Sequence, residues 1–218
     1  PKRESAAHSA RTRPIAAHPA PTPPSAPPTP GAGGESHRMR TGILVTLAAY
    51  PLAMIAGRVP FGALVRALVA PQAVAISTRS SLASLPAMLE AARKLGVREQ
   101  TADVALPIAV ALFRATGPAM NTAVAFYVAH WLGLEPSAGQ IAAAIAVGAV
   151  MSYGAVSLPG EISFISSIAP IAMALGVPIA PLALLVAVEM VPDIFRTVGN
   201  VTMDVAVTTA VDRKPFKS

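Results

Sequence analysis

The stretch EMVPDIFRTVGNVTMD, residues 189 to 204, sets Glu189, Asp193, Arg196, Thr197, Asn200 and Asp204 among Val, Ile, Phe and Met. At about 100° per residue of helix, all six polar groups fall on one face about 100° wide. The remaining positions, Met190, Val191, Ile194, Phe195, Val198 and Val201 among them, are apolar. In an apolar surrounding each ionisable group costs at least about 2.5 to 3.5 kcal/mol on membrane-insertion scales, so four on one face call for a purpose. One reading is a polar binding site. The other is an internal ladder, with Asp193 three residues from Arg196 and Asp204 four residues from Asn200. Three acids against one base leave surplus negative charge, which favours cations, either protons or metal ions.

The rest of the chain says what surrounds this face. Of 218 residues, 53% are hydrophobic and 13% charged, against roughly 25% charged in a soluble domain, which is a membrane composition. Cysteine is absent and His8, His18, His37 and His130 are scattered, which argues against a disulfide framework and a metal cluster. Neither a phosphate-binding loop nor a dinucleotide fingerprint occurs, and Ser80 and Ser81 lie in no nucleophile elbow. These absences point away from an enzyme. The net charge is +6, but residues 1 to 40 hold six Lys/Arg and two Glu, or +4. The basic character is therefore mostly a tail property and not a nucleic-acid footprint.

That tail, with nine of the 22 prolines, reads as disordered over residues 1 to 40. A signal or transit peptide is the alternative, but no apolar core follows a short basic start. The chain opens on Pro1, with Met39 as a further candidate start, and is expected to be a fragment. Residues 41 to 57, 115 to 134, 136 to 160 and 162 to 188 carry no charged side chain, and the last three reach the ~20 residues needed to span a bilayer. Breaks rich in Ser, Gly and Pro, STRSSLASLP (77–86) and SYGAVSLPGEISFISS (152–167), predict re-entrant segments at about 67–90 and 136–180. A last helix is expected over about 182–211, followed by a basic tail at 213–218.

Loop charges orient the chain. Arg58 and Arg66, then Arg93, Lys94 and Arg98, then Arg213, Lys214 and Lys217 mark the cytoplasmic side, and the uncharged turns near 130–136 and 175–182 the external side. His130, beside Trp131, reads as an interfacial residue. Arg38 and Arg40 conflict with this scheme, a conflict that further helices upstream would remove.

STRSSLASLP, the Pro-Gly break in SYGAVSLPGE, and PDIFRTVGNVTMD occur in the order of the signature regions of the glutamate/aspartate and dicarboxylate:cation symporters, and residues 42 to 214 resemble that family's C-terminal half. The resemblance implies an all-α membrane fold, with transmembrane helices and two opposed re-entrant hairpins forming a transport-domain core. By position, Arg196 matches the arginine that pairs with the substrate's distal carboxylate, and Asp193 the acid that accepts its ammonium. Thr197 and Asn200 match further substrate contacts. Ser80 and Ser81 match the first hairpin tip, which holds the main-chain carboxylate, and Leu158, Pro159 and Gly160 match the gating tip of the second. Asp204, Asn200 and the Ala109 carbonyl match sodium ligands, hard oxygens suited to an alkali ion.

The chain departs from the family where an unwound Asn-Met-Asp-Gly-Thr is expected and Phe113, Arg114, Ala115, Thr116 and Gly117 stand instead. Arg114 is then a fixed positive charge in place of a bound cation, or a counter-ion for Glu189 or Glu161. The fixed-charge reading implies fewer coupled sodium ions than the family norm, or protons. The implied function is symport of an acidic amino acid or C4-dicarboxylate with sodium or protons, without organic cofactor, as a multi-pass protein of the bacterial inner membrane. A homotrimer is implied for the full-length form, with lipid and the small substrate as its partners. The alternative is a non-transporting truncated membrane protein that binds a ligand or partner.

Overall fold

A computed structural model describes residues 33–154 and 161–212. They form helices throughout, with no strand among the described residues. In chain order these are α1 (Gly33–Ile55), α2 (Phe61–Thr78), α3 (Ser81–Lys94), α4 (Glu99–Leu112), α5 (Gly117–Trp131), α6 (Ala138–Gly154), α7 (Glu161–Leu175), α8 (Ala180–Val186) and α9 (Met190–Asp212).

Local chemistry sets the breaks. Arg79 adopts the left-handed conformation (φ 53°, ψ 31°) and ends α2. Ser80 then starts α3, its Oγ accepting from the Ala83 N–H at 3.2 Å, so a two-residue link folds α2 and α3 into a hairpin. Gly96, at φ +78°, closes α3, with the Val97 N–H donating to the Ala92 carbonyl at 3.0 Å, a left-handed end that glycine adopts without steric cost. Prolines 51, 71, 86, 107 and 170 lie inside helices, as membrane helices tolerate.

Two expectations meet a different structure. The last helix is not continuous from 182: it breaks at residues 187–189 between α8 and α9. Pro192 has no N–H to give the Val188 carbonyl and its ring would clash there, and the Val188 and Glu189 N–H groups donate three residues back, to the Leu185 and Val186 carbonyls. At the other end α1 begins at Gly33, so Arg38 and Arg40, assigned above to the tail, are helical.

Two apolar cores result. One joins α1, α2, α3, α4 and the second half of α9 around Leu64, Leu68, Met88, Leu106 and Val205. The other joins α5, α6, α7 and α8 around Val124, Phe164, Ile168, Ile171 and Leu182. Helix α9 is cross-tied to its neighbours, by Gln72 donating to Thr202 Oγ1 at 2.9 Å and by Arg98 and Thr101 binding the Asp212 carboxylate at 2.6 and 2.8 Å. Outward, large apolar side chains such as Leu44, Ile55, Val69, Val150 and Met173 are exposed. Among the described residues, 61–78 and 99–131 are long and apolar enough to cross a membrane.

Candidate functional site

The polar face of α9 lies at the seam between the two cores. Glu189, Asp193, Arg196, Thr197, Asn200 and Asp204 are all buried, so the six residues grouped by helical spacing share one interior environment.

The charges form an alternating chain. Arg196 donates through Nε and a terminal nitrogen to Asp193 Oδ1, at 3.0 and 2.5 Å, and lies 3.2 Å from Glu189 Oε1. The other Glu189 oxygen forms an ion pair with Arg38 of α1. Arg38 is 4% exposed and its guanidinium stands 5.2 Å from the Phe164 ring centroid on α7, a cation–π contact. At the opposite end Arg79, at the tip of the α2–α3 hairpin, lies 3.9 Å from Asp193 Oδ2. The order is thus Arg38, Glu189, Arg196, Asp193, Arg79. Each buried charge has an opposite neighbour, which offsets a desolvation penalty of several kcal/mol per ion.

A second group lies one turn further along α9. The chain unwinds between α4 and α5, Phe113 being extended (φ −106°, ψ 102°). Thr116 follows in the N-cap position of α5, but its hydroxyl does not cap. Both its N–H and its hydroxyl donate to Asn200 Oδ1, at 3.0 and 2.9 Å. Ser152 of α6 donates to the Arg114 carbonyl at 3.0 Å, so the unwound segment is held from both sides. Gly199 makes the approach feasible, since a Cβ there would lie 2.7 Å from Thr116 Cγ2.

Asp204 differs from the acids above it. It is fully buried and, like those of Glu189, its carboxylate oxygens have no hydrogen-bond partner, but unlike Glu189 it forms no ion pair among the described residues, although Arg114 is near enough to act on it electrostatically. Ala109, nearby in the sequence motif, is buried, and its carbonyl accepts the closing α4 bond from Phe113 N–H at 2.7 Å. Thr197 turns its hydroxyl to the Asp193 carbonyl at 2.9 Å. Half of the ladder reading is therefore present, as Asp193–Arg196, and half is not, because Asp204 accepts no hydrogen bond from Asn200.

Ser80 and Ser81 are half-buried at the hairpin tip that Arg79 carries to Asp193. Leu158, Pro159 and Gly160 lie outside the described residues, as does the side chain of Glu161. Glu189 takes Arg38 and Arg196 as counter-ions, while Arg114 interacts electrostatically with Asp193, Asp204 and Arg196. The count of three acids to one base does not survive: Arg38, Arg79 and Arg114 join Arg196 around the same acids. Arg38, Arg79 and Thr116 are the contributors the motif reading missed. Arg79 and Thr116 stood inside motifs already singled out, and Arg38 carried no local signal.

Residues 39–214 match the family described as the sodium:dicarboxylate symporter family. The chain belongs to that family. Its members are membrane transporters and not enzymes. Among curated relatives, the neutral amino acid transporter A of Homo sapiens is 32% identical over 138 residues, covering 63% of this chain and 26% of the relative. The Bos taurus protein of the same name is 31% identical over the same length. The L-cystine uptake protein TcyP of Bacillus anthracis is 33% identical over 134 residues, covering 59% of this chain and 28% of the relative. The chain thus spans about a quarter of the length of the curated relatives it matches. The family's description names sodium as the ion its members couple to, and their setting is the membrane.

Proposed function

We propose that this chain is the substrate- and ion-binding part of a secondary active transporter for an acidic amino acid, coupled to sodium or protons, in a bacterial inner membrane. The observation that carries the reading is the buried Arg196, held by Asp193 and Glu189 in place of a substrate. An acidic amino acid brings a side-chain carboxylate, a main-chain carboxylate and one ammonium. Its side-chain carboxylate replaces Asp193 on the Arg196 fork, a geometry that guanidinium binds bidentately. The released Asp193 takes the ammonium. Arg196 and Asp193 each keep a counter-ion before and after binding, so the exchange avoids stranding either of them at a cost of several kcal/mol. A plain C4-dicarboxylate would leave Asp193 with only the longer Arg79 contact and is the weaker substrate. The names of the relatives, a neutral amino acid transporter and a cystine uptake protein, support an amino acid as the class, while the acidic side chain rests on Arg196.

In this reading Thr197 and Asn200 line the ligand, and Ser80 and Ser81 meet its main-chain carboxylate at the start of α3, where helix N–H groups favour an anion. The α2–α3 pair and the α6–α7 pair act as opposed re-entrant hairpins, with Leu158–Gly160 as gate. Asp204, Asn200 and the Ala109 carbonyl receive the coupling cation; the unpartnered Asp204 oxygens support this role. Arg114 supplies fixed positive charge beside them and lowers the number of cations carried. The full-length protein adds scaffold helices and assembles as a homotrimer.

The test is binding of L-aspartate to the detergent-solubilised protein. Arg196→Ala should weaken binding about 100-fold or more, and Arg196→Lys, which keeps the charge and loses the fork, should weaken it in part. Succinate should bind less tightly than L-aspartate. Unchanged L-aspartate affinity in Arg196→Ala refutes the assignment.

A further inference from the structure

The mechanism above uses Arg196 and Asp193 and leaves Arg38 without a task. Yet Arg38 is nearly fully buried, spends its charge on Glu189, and stacks over Phe164. Two of its donors, Nε and one terminal nitrogen, have no hydrogen-bond partner. A guanidinium buried at such expense in desolvation is poor packing material when an apolar chain would fill the same space. Its placement matters through Glu189, which faces Arg38 with one oxygen and Arg196 with the other.

We propose that Arg38 is a positioning residue that sets the affinity of Arg196 for an anionic ligand, by sharing Glu189 and so limiting its hold on Arg196. This rests on the reading of Arg196 as the group that binds the substrate carboxylate. Two effects run in the same direction. Without Arg38, Glu189 has Arg196 as its single counter-ion among those it pairs with here, and competes directly with an incoming carboxylate. The site also gains one unit of net negative charge, which repels an anion in a medium where charges are poorly screened. Glu189 thus acts as an internal competitor, and Arg38 restrains it.

The experiment compares L-aspartate binding to four forms of the protein as its host makes it, purified in detergent: unaltered, Arg38→Met, Glu189→Gln, and the double variant. Methionine keeps an unbranched chain under the Phe164 ring. Arg38→Met should weaken binding about tenfold or more, because a close, poorly screened charge is removed from the site. Glu189→Gln should strengthen binding, and the double variant should recover at least the unaltered affinity. A structural role for Arg38 predicts no such recovery, since removing Glu189 does not refill the packing. The inference is overturned by unchanged binding in Arg38→Met, by a loss that Glu189→Gln does not reverse, or by weaker binding in Glu189→Gln alone. Should Arg38→Met fail to fold, the Glu189→Gln result still decides. If Arg196→Ala leaves binding intact, the underlying reading of the site fails; if Arg196→Ala abolishes it and Arg38→Met does not change it, the inference about Arg38 fails alone.

Discussion

Gly199→Ala should damage the site although alanine is the better helix former. The new Cβ would stand 2.7 Å from Thr116 Cγ2, 3.2 Å from Thr46 Oγ1 and 3.3 Å from the Gly42 carbonyl oxygen. Reaching an ordinary 3.4 Å contact with Thr116 requires 3.4 minus 2.7, or 0.7 Å, of retreat. The Thr116 bonds to Asn200, now 3.0 and 2.9 Å, then stretch beyond bonding distance. Overpacking costs about 1–3 kcal/mol and the two bonds about 0.5–1.5 kcal/mol each, whereas the helix gains only about 1 kcal/mol from losing glycine. The net is a loss of about 1–5 kcal/mol, or about 2–20 °C in melting temperature for a chain of this size. Thermal unfolding in detergent reads it directly. The second substitution Thr116→Ser removes the methyl group that clashes and keeps the hydroxyl, so the Gly199→Ala/Thr116→Ser pair should recover most of the loss. A Gly199→Ala protein that melts at or above the parent, or a serine that rescues nothing, would refute this account of the seam.

Three further outcomes follow from the same geometry. Asp204→Asn should abolish the difference in L-aspartate binding between sodium chloride and choline chloride, while folding is retained because no hydrogen bond to the carboxylate is lost; a persisting sodium dependence would place the ion elsewhere. Asn200→Ala removes the acceptor of two Thr116 bonds and should destabilise the protein by about 1–3 kcal/mol, with Asn200→Asp milder in the same melting assay. At the end of α9, burial works against the Asp212 carboxylate, but hydrogen bonds from the Arg98 side chain, Thr101 and the Arg98 N–H outweigh it and hold its pKa below the ordinary 3.8. A depressed pKa adds stability that is present above the unfolded value and lost as pH falls through the folded one. Asp212→Asn should therefore melt below the parent at neutral pH, with the gap closing only at pH below 3.8; a gap independent of pH would sink the argument.

The polar face of α9 was legible because burial along one helix repeats with the helix, and six residues spaced over one face need no knowledge of their neighbours. The turn at Arg79–Ser80 was legible for a similar reason, since serines that cap a helix announce themselves locally. Charge balance was not. A pattern along α9 counts only the charges of α9, and Arg38 reaches Glu189 from a helix that begins at Gly33. The Thr116–Asn200 bonds close over 84 residues of chain, and no spacing within either segment encodes that pairing. The α8–α9 break had a local cause in Pro192, yet the one polar face running from Glu189 to Asp204 suggested a single helix over about 182–211.

The polar content of α9 also bears on how the protein is made. With Asp193, Arg196, Asp204 and Asp212 within 23 residues, α9 is not among the stretches apolar enough to cross a bilayer by themselves. Its partners α1, α2, α3 and α4 all precede it in the chain, and Arg38, the counter-ion nearest its entrance, is the earliest of them. Helix α9 is therefore a dependent passenger in biogenesis: it enters the membrane against helices already there. A side chain at Gly42, whose Cβ would stand 2.9 Å from Phe195 Cβ, should then show up first as failed insertion of the last helix, before any effect on ligand is measurable.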